Sequence, residues 1–185
     1  PGQRVLRPGA VYDDPAAGIA SAWGGLAQFG LVTDLDAWRE DHPEGRPGGM
    51  WAKQQTIPAE IDAGEATAII TLKEVLFASR AAGIDETTWT AIVGTGPVAR
   101  AFTFWARWLG APMVVVFGRD ERWCHNFLEL GANNYLAGSG PCCDDDAKCA
   151  GVGAFDRVID AVGSSEALLD ALDLLRPDGL VGNYG

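Results

Sequence analysis

Lysine is nearly missing from this chain: three residues among 185, beside 11 arginines and 25 aspartates and glutamates. The formal net charge is −11. Without a basic footprint to neutralise phosphates, nucleic acid is not an expected partner. Long apolar runs are missing too. No stretch reaches the 18 or more apolar residues of a spanning helix, so no membrane partner is expected. The first residues lack the basic, apolar, small-residue order of a secretory leader, and a cytoplasmic protein is expected. Cysteine is sparse, and three of the four, Cys142, Cys143 and Cys149, crowd into one short loop. A chain that is 48% apolar needs no disulfide staples. Adjacent cysteines do not match zinc-knuckle spacing. Free thiols in a surface loop are expected, with a metal or redox role as the alternative.

The strongest pattern lies in the middle. Ala91 to Val93 is a short apolar strand, and it runs into Gly94-Thr95-Gly96-Pro97-Val98-Ala99. Val98, Ala101, Phe102, Trp105 and Leu109 then recur at helical spacing. Strand, glycine turn and helix form the context in which a G-x-G-x-x-G/A match has physical content. The first glycine permits the tight turn, the second lets backbone approach a pyrophosphate, and a small third residue lets helix and strand pack closely. The helix N-terminus offers unpaired N–H groups and partial positive charge.

Before this turn, the spacing predicts a short strand at Arg4–Leu6 and a loop over 12–22. A strand is predicted over Trp23–Thr33, then an exposed polar excursion over Asp34–Gly49 that leaves His42 solvated. Trp51–Pro58 reads as extended. Asp62 and Glu65 form a capping box for a helix that ends at Gly83. After the turn come a strand at Met113–Phe117, a helix at Glu121–Leu130 and a short strand at Asn133–Leu136. The acidic glycine-rich loop 138–153 lacks the spacing of a calcium loop. A strand at Phe155–Val162 and a helix capped by Ser164 follow. Arg176-Pro177-Asp178-Gly179 then reads as a turn, and Leu180–Tyr184 as a last strand. This alternation predicts a parallel sheet with helices on both faces and a ligand beyond the strands' carboxyl ends.

The position that reads the cofactor's ribose follows the second strand. An acidic residue there would bind the ribose hydroxyls of NAD and repel a 2′-phosphate. Gly118 stands there, with Arg119 beside it and Arg122 close behind. Room and charge-assisted hydrogen bonds favour NADP over NAD. Asp120 must then point away or pair with an arginine. A methyltransferase, which also uses a glycine-rich turn, is the less favoured alternative, because it generally needs an acid at that place.

The GTGPVA turn, LGAN at 130–133, FDRVIDAVGSSEAL at 155–168 and LLRPDGLVGNYG at 174–185 together resemble the medium-chain dehydrogenase/reductase superfamily, the zinc-type alcohol and polyol dehydrogenases. WGGLAQFGLVT resembles its first-domain strand, and the helix over 63–82 its interdomain helix. The resemblance implies a Rossmann-type doubly wound parallel sheet preceded by a remnant of a GroES-like β domain. On that basis residues 1–68 are part of the catalytic domain with the start of the interdomain helix, and 69–185 are the nucleotide-binding domain. It implies hydride transfer between NADP(H) and a small alcohol or carbonyl substrate. It also implies roles: Gly94, Gly96, Pro97, Val98 and Ala99, with Thr95 in the same turn, at the pyrophosphate; Gly118, Arg119 and Arg122 at the adenosine ribose; Ala161, Val162 and Gly163 along the adenosine and the nicotinamide-side ribose; and Tyr184 near the nicotinamide. The family often dimerises through the sheet edge, which makes a homo-oligomer an option.

The departures are equally plain. The family's Gly-His-Glu zinc segment, its first cysteine ligand and its four-cysteine lobe are not matched. Its remaining ligand would fall near Ile69 or Ile70, neither of which binds metal; Glu74 lies one turn further. We expect a truncated chain with an incomplete zinc site and little catalysis by itself, zinc belonging to a full-length parent. No catalytic residue and no metal ligand are assigned. A non-catalytic dinucleotide-binding module and a zinc-free reductase of the same superfamily remain alternatives.

Overall fold

The computed structural model describes residues 4–6, 12–14, 19–21, 34–46, 55–138, 140–141 and 153–184. The chain divides into two compact units, Pro1–Ile70 and Thr71–Gly185.

In the first unit, β1 (Val5–Leu6) pairs antiparallel with β4 (Gln55–Thr56). The Arg4 guanidinium donates to the carbonyls of Ile61 and Ala59 at 2.7 and 2.6 Å. Two expectations are corrected here. The segment expected to be loop over 12–22 holds a small antiparallel pair, β2 (Tyr12–Asp14) with β3 (Ile19–Ser21). The exposed excursion contains a helix, α1 (Leu35–Asp41). Asp34 caps it, its carboxylate accepting from the Asp36 and Ala37 N–H groups, both at 3.1 Å. The helix buries no residue fully, and its seven residues hold only Leu35 and Trp38 at helical spacing, too short a stripe for periodicity to reveal. His42 is exposed as expected, its ring stacked on Trp38 at 4.6 Å. The strand expected over 23–33 and the loop bearing Cys142, Cys143 and Cys149 lie outside the described residues.

Helix α2 (Ala63–Ala81) carries the predicted capping box. Asp62 Oδ1 accepts from Gly64 N at 2.7 Å, and Glu65 reaches back to the Asp62 N–H at 3.3 Å. Gly83 follows at φ 69°, a left-handed stop that glycine adopts without strain.

The second unit is a Rossmann-type sheet. Strands β5 (Trp89–Val93), β6 (Met113–Phe117), β7 (Asn134–Ala137), β9 (Phe155–Asp160) and β10 (Leu175–Asn183) are parallel, in the order β10-β9-β5-β6-β7. A two-residue strand, β8 (Gly140–Pro141), adds antiparallel at the β7 edge and was not expected. Helices α3 (Pro97–Trp108) and α4 (Cys124–Glu129) join β5 to β6 and β6 to β7; α5 (Ser165–Leu174) joins β9 to β10. The helix predicted over Glu121–Leu130 opens as a 3-10 turn, Glu121–Trp123, before becoming α4. The last strand is longer than predicted: it starts at Leu175, and the Arg176–Gly179 turn survives inside it as a break in register, with Asp178 at φ 66°.

Side chains on successive strand residues divide between two apolar clusters, as the period of two requires. Ile92, Val114, Val116, Tyr135 and Ile159 join Phe102 and Phe127 of α3 and α4. Ala91, Val93, Val115 and Val158 join Ala167, Ala171 and Leu174 of α5. The sheet is thus covered by helix on both faces, which is the doubly wound arrangement.

Candidate functional site

The chain enters the sheet at β5 and builds outward through β6 and β7; it then returns to β9, on the other side of β5. Neighbouring strands β5 and β9 therefore run on into helices on opposite faces. Their carboxyl ends diverge there and leave a crevice.

The glycine turn opens into it. Gly94 has φ 122°, a backbone state that L side chains rarely adopt, and its N–H donates to the Phe117 carbonyl at 2.9 Å. A Cβ at Gly94 would stand 3.0 Å from Val162 Cγ2 and 3.4 Å from the Ala161 carbonyl oxygen. Glycine is needed here both for dihedral angle and for close approach. Gly96 differs: it is the N-cap of α3 at φ −73° and ψ 178°, and a Cβ there would meet nothing within 4 Å. No side chain caps the helix, and Pro97 occupies its first turn. Exposed N–H groups with open space above them are the arrangement that accommodates an anion. Ala99 is fully buried against the sheet, as a small third residue should be.

Opposite, Asp160 is fully buried, and its Oδ1 accepts from the N–H groups of Val162 and Gly163 at 2.9 and 3.2 Å. This bends the chain after β9, brings Ala161 and Val162 over Gly94, and puts Gly163 at φ 80°. Ser164 caps α5 as predicted, accepting from Ala167 N at 3.1 Å.

A cleft of about 490 Å³ lies beyond these strand ends. Of the predicted residues, Gly94, Thr95, Gly118, Arg119 and Val162 line it. Gly96, Pro97, Val98, Ala99, Arg122, Ala161, Gly163 and Tyr184 do not. Sequence reasoning missed its acidic wall of Glu166, Asp170 and Asp173 on and beside one face of α5. The spacing of those three residues was the available signal, since 166, 170 and 173 recur at helical intervals. Tyr184 stands at the end of β10, edge-on to Phe102 at 5.2 Å, its N–H bonded to the Asp160 carbonyl. Burial, assisted by the Glu74 carboxylate, pushes its phenol above the ordinary value.

The turn after β6 settles the question of Asp120. Its Oδ2 pairs with Arg122 Nε at 2.8 Å, and its Oδ1 accepts from the Arg122 N–H. Arg122 and Arg100 both lie over the Trp123 ring, at 4.8 and 4.5 Å from its centroid. One argument is corrected. Gly118 was expected to leave room for a phosphate, yet the space beside its Cα is filled by the Tyr135 hydroxyl and the Thr95 methyl.

Among the described residues no three His, Cys, Asp or Glu side chains cluster to hold a metal, so no step is assigned to zinc here. Among them, too, no helix is long and apolar enough to cross a membrane.

No protein-family model matches the chain. The zinc-type alcohol dehydrogenase-like protein YdjL of Escherichia coli K12, itself uncharacterised, is 35% identical over 100 residues, which are 51% of this chain and 27% of YdjL. A provisionally assigned zinc-binding dehydrogenase from Sinorhizobium meliloti 1021, solved bound to NADP, superposes with a TM-score of 0.62 at 25% identity, over 74% of this chain and 41% of that one. L-idonate 5-dehydrogenase of Escherichia coli K-12 shares the fold, with a TM-score of 0.59 at 22% identity, over 74% and 41%. The chain thus spans about a quarter of the curated relative and two fifths of the solved ones. In sequence the chain is similar, over 100 residues, to a zinc-type alcohol dehydrogenase-like protein, and in fold it is similar to solved zinc-binding and alcohol dehydrogenases.

Proposed function

We propose that this protein is an oxidoreductase that transfers a hydride between NADP(H) and an alcohol or polyol, or the corresponding aldehyde or ketone. In this reading residues 69–185 bind the dinucleotide, and 1–68 belong to the domain that contributes substrate contacts. The observation that carries it is the uncapped start of α3, with Gly96 open above it, at the point where β5 and β9 diverge. The NADP carried by the Sinorhizobium protein supports it.

The turn from Gly94 to Ala99 holds the pyrophosphate on backbone N–H groups. Ala161, Val162 and Gly163 flank the adenosine and the nicotinamide-side ribose, and Tyr184 lies toward the nicotinamide. Gly118, Arg119 and Arg122 face the adenosine ribose. Among the described residues, Arg119 is the one basic side chain in the lining of the cleft. The 2′-phosphate therefore belongs on its side, away from the acids of α5. When bound, the cofactor supplies the hydride; the chain's own residues supply position and field. The substrate is a small molecule.

Thermal unfolding with each dinucleotide tests this. A ligand at a hundred times its Kd stabilises by about 2.7 kcal/mol, so NADPH should raise the Tm more than NADH at equal concentration. Gly96→Ala should leave the Tm of the free protein unchanged, because its Cβ meets nothing, and should weaken NADPH binding. Tighter binding of NADH would overturn the cofactor choice. A response to adenosylmethionine, with none to either dinucleotide, would overturn the reaction class.

A further inference from the structure

We propose that Tyr135 is a positioning residue for the adenosine end of the dinucleotide, and that Tyr135 and Gly118 act as one coupled determinant of NADPH over NADH. The proposal rests on the NADP(H) reading above and adds to it a residue outside the turn itself.

A side chain at 118 is blocked by its surroundings. A Cβ there would lie 2.0 Å from the Tyr135 hydroxyl oxygen, 2.6 Å from Tyr135 Cζ and 2.6 Å from Thr95 Cγ2. Those separations are far inside van der Waals contact, so something would have to move. Rotation about the Cα–Cβ bond of half-exposed Thr95 carries its methyl away. Tyr135 has no such freedom. Its side chain is fully buried and stacks on Phe127, the ring centroids 5.6 Å apart and the planes 23° from parallel. Its hydroxyl donates to the Asp120 carbonyl at 2.7 Å.

That hydrogen bond reaches from β7 across to the turn after β6. Gly118 N donates to the Leu136 carbonyl at 2.8 Å, one residue along from Tyr135. Two adjacent residues of β7 thus hold the turn at Gly118 and at Asp120. Asp120 in turn fixes Arg122 through both carboxylate oxygens, and Arg122 lies over Trp123. Arg119, between the two anchors, reaches the cleft. The cationic turn is therefore posed from below by a tyrosine. An acidic residue at 118, which NAD preference would need, is excluded while that tyrosine stands there. A purely space-filling Tyr135 would affect stability and leave cofactor selectivity alone.

Two measurements separate these readings. Tyr135→Phe keeps the ring and removes only the hydroxyl. The ratio of NADPH to NADH affinity, read by fluorescence titration, should fall about fivefold, the worth of one hydrogen bond. NADH affinity itself should stay constant. An unchanged ratio, or equal losses for both dinucleotides, would overturn the positioning role. The second measurement needs no cofactor. Gly118→Ala should lower the urea midpoint, and the Gly118→Ala, Tyr135→Phe double variant should recover part of that loss, because the ring is freed from its anchor. Additive losses would overturn the coupling. A wild-type protein that binds neither dinucleotide, or binds NADH more tightly, would fail the NADP(H) reading and this proposal together. A wild type that prefers NADPH while Tyr135→Phe changes nothing would fail this proposal alone.

Discussion

Asp160 shows how much one side chain organises at the crevice. One of its oxygens satisfies two N–H groups of the bend after β9, and the other is buried with no partner among the described residues. Asp160→Ala should cost about 1–3 kcal/mol, because the Val162 and Gly163 N–H groups lose their acceptor. Asp160→Asn keeps an acceptor and should cost clearly less. Urea unfolding of both variants checks this; equal losses would mean that the bend does not depend on the carboxylate's acceptor role. At this scale the sequence was informative where a residue's need is local. Gly94 must have a left-handed backbone whatever surrounds it, so its motif could be read directly. Gly118 could not be read that way. Its reason is Tyr135, 17 positions away in sequence and in contact only through strand pairing, and nothing in the alternation of β7 marks that hydroxyl.

Among the elements, β6 was predicted to the residue, and β5 and α3 nearly so. Each is a run of strong apolar character bounded by glycine or proline, which fixes both its type and its ends. Short elements escaped: α1 is seven residues long, buries none of them and is capped by Asp34, and β2 and β3 are three residues each. The connection from α2 to β5 offers a test of such cap-like contacts. Asp85 accepts from the Thr87 hydroxyl and N–H at 2.7 and 2.9 Å, and the Asp85 N–H reaches the Thr88 hydroxyl at 3.0 Å. The Thr87 hydroxyl, with its N–H, lowers the Asp85 carboxyl below the ordinary aspartate value. A lowered folded-state value means that the unfolded chain binds the proton more readily. The contribution is therefore present above the unfolded value and is lost as pH falls through the folded one. Asp85→Asn should reduce the urea midpoint slightly at about pH 7 and match the wild type at about pH 2. A gap that persists in acid would assign the effect to geometry and not to charge.

For the whole molecule, an excess of 11 negative charges and an isoelectric point near 4.5 set its solution behaviour. Mutual repulsion should keep the protein dispersed at neutral pH, with a solubility minimum close to pH 4.5 in turbidity measurements. A minimum well away from that value would point to titration not captured by composition. The order β10-β9-β5-β6-β7 has a further consequence, for synthesis. The ribosome delivers β5, β6 and β7 first, and these can pair at once through short crossovers. The β9 side of β5 stays unpaired until Phe155–Asp160 emerges, more than 60 residues after β5 has been made. During that interval a row of backbone donors and acceptors on the most central strand is open to any passing strand. Non-local parallel pairing of this kind is slow to form. The same divergence of strands that creates the crevice therefore leaves the central strand half-paired through most of the domain's synthesis and open to mispairing until β9 arrives.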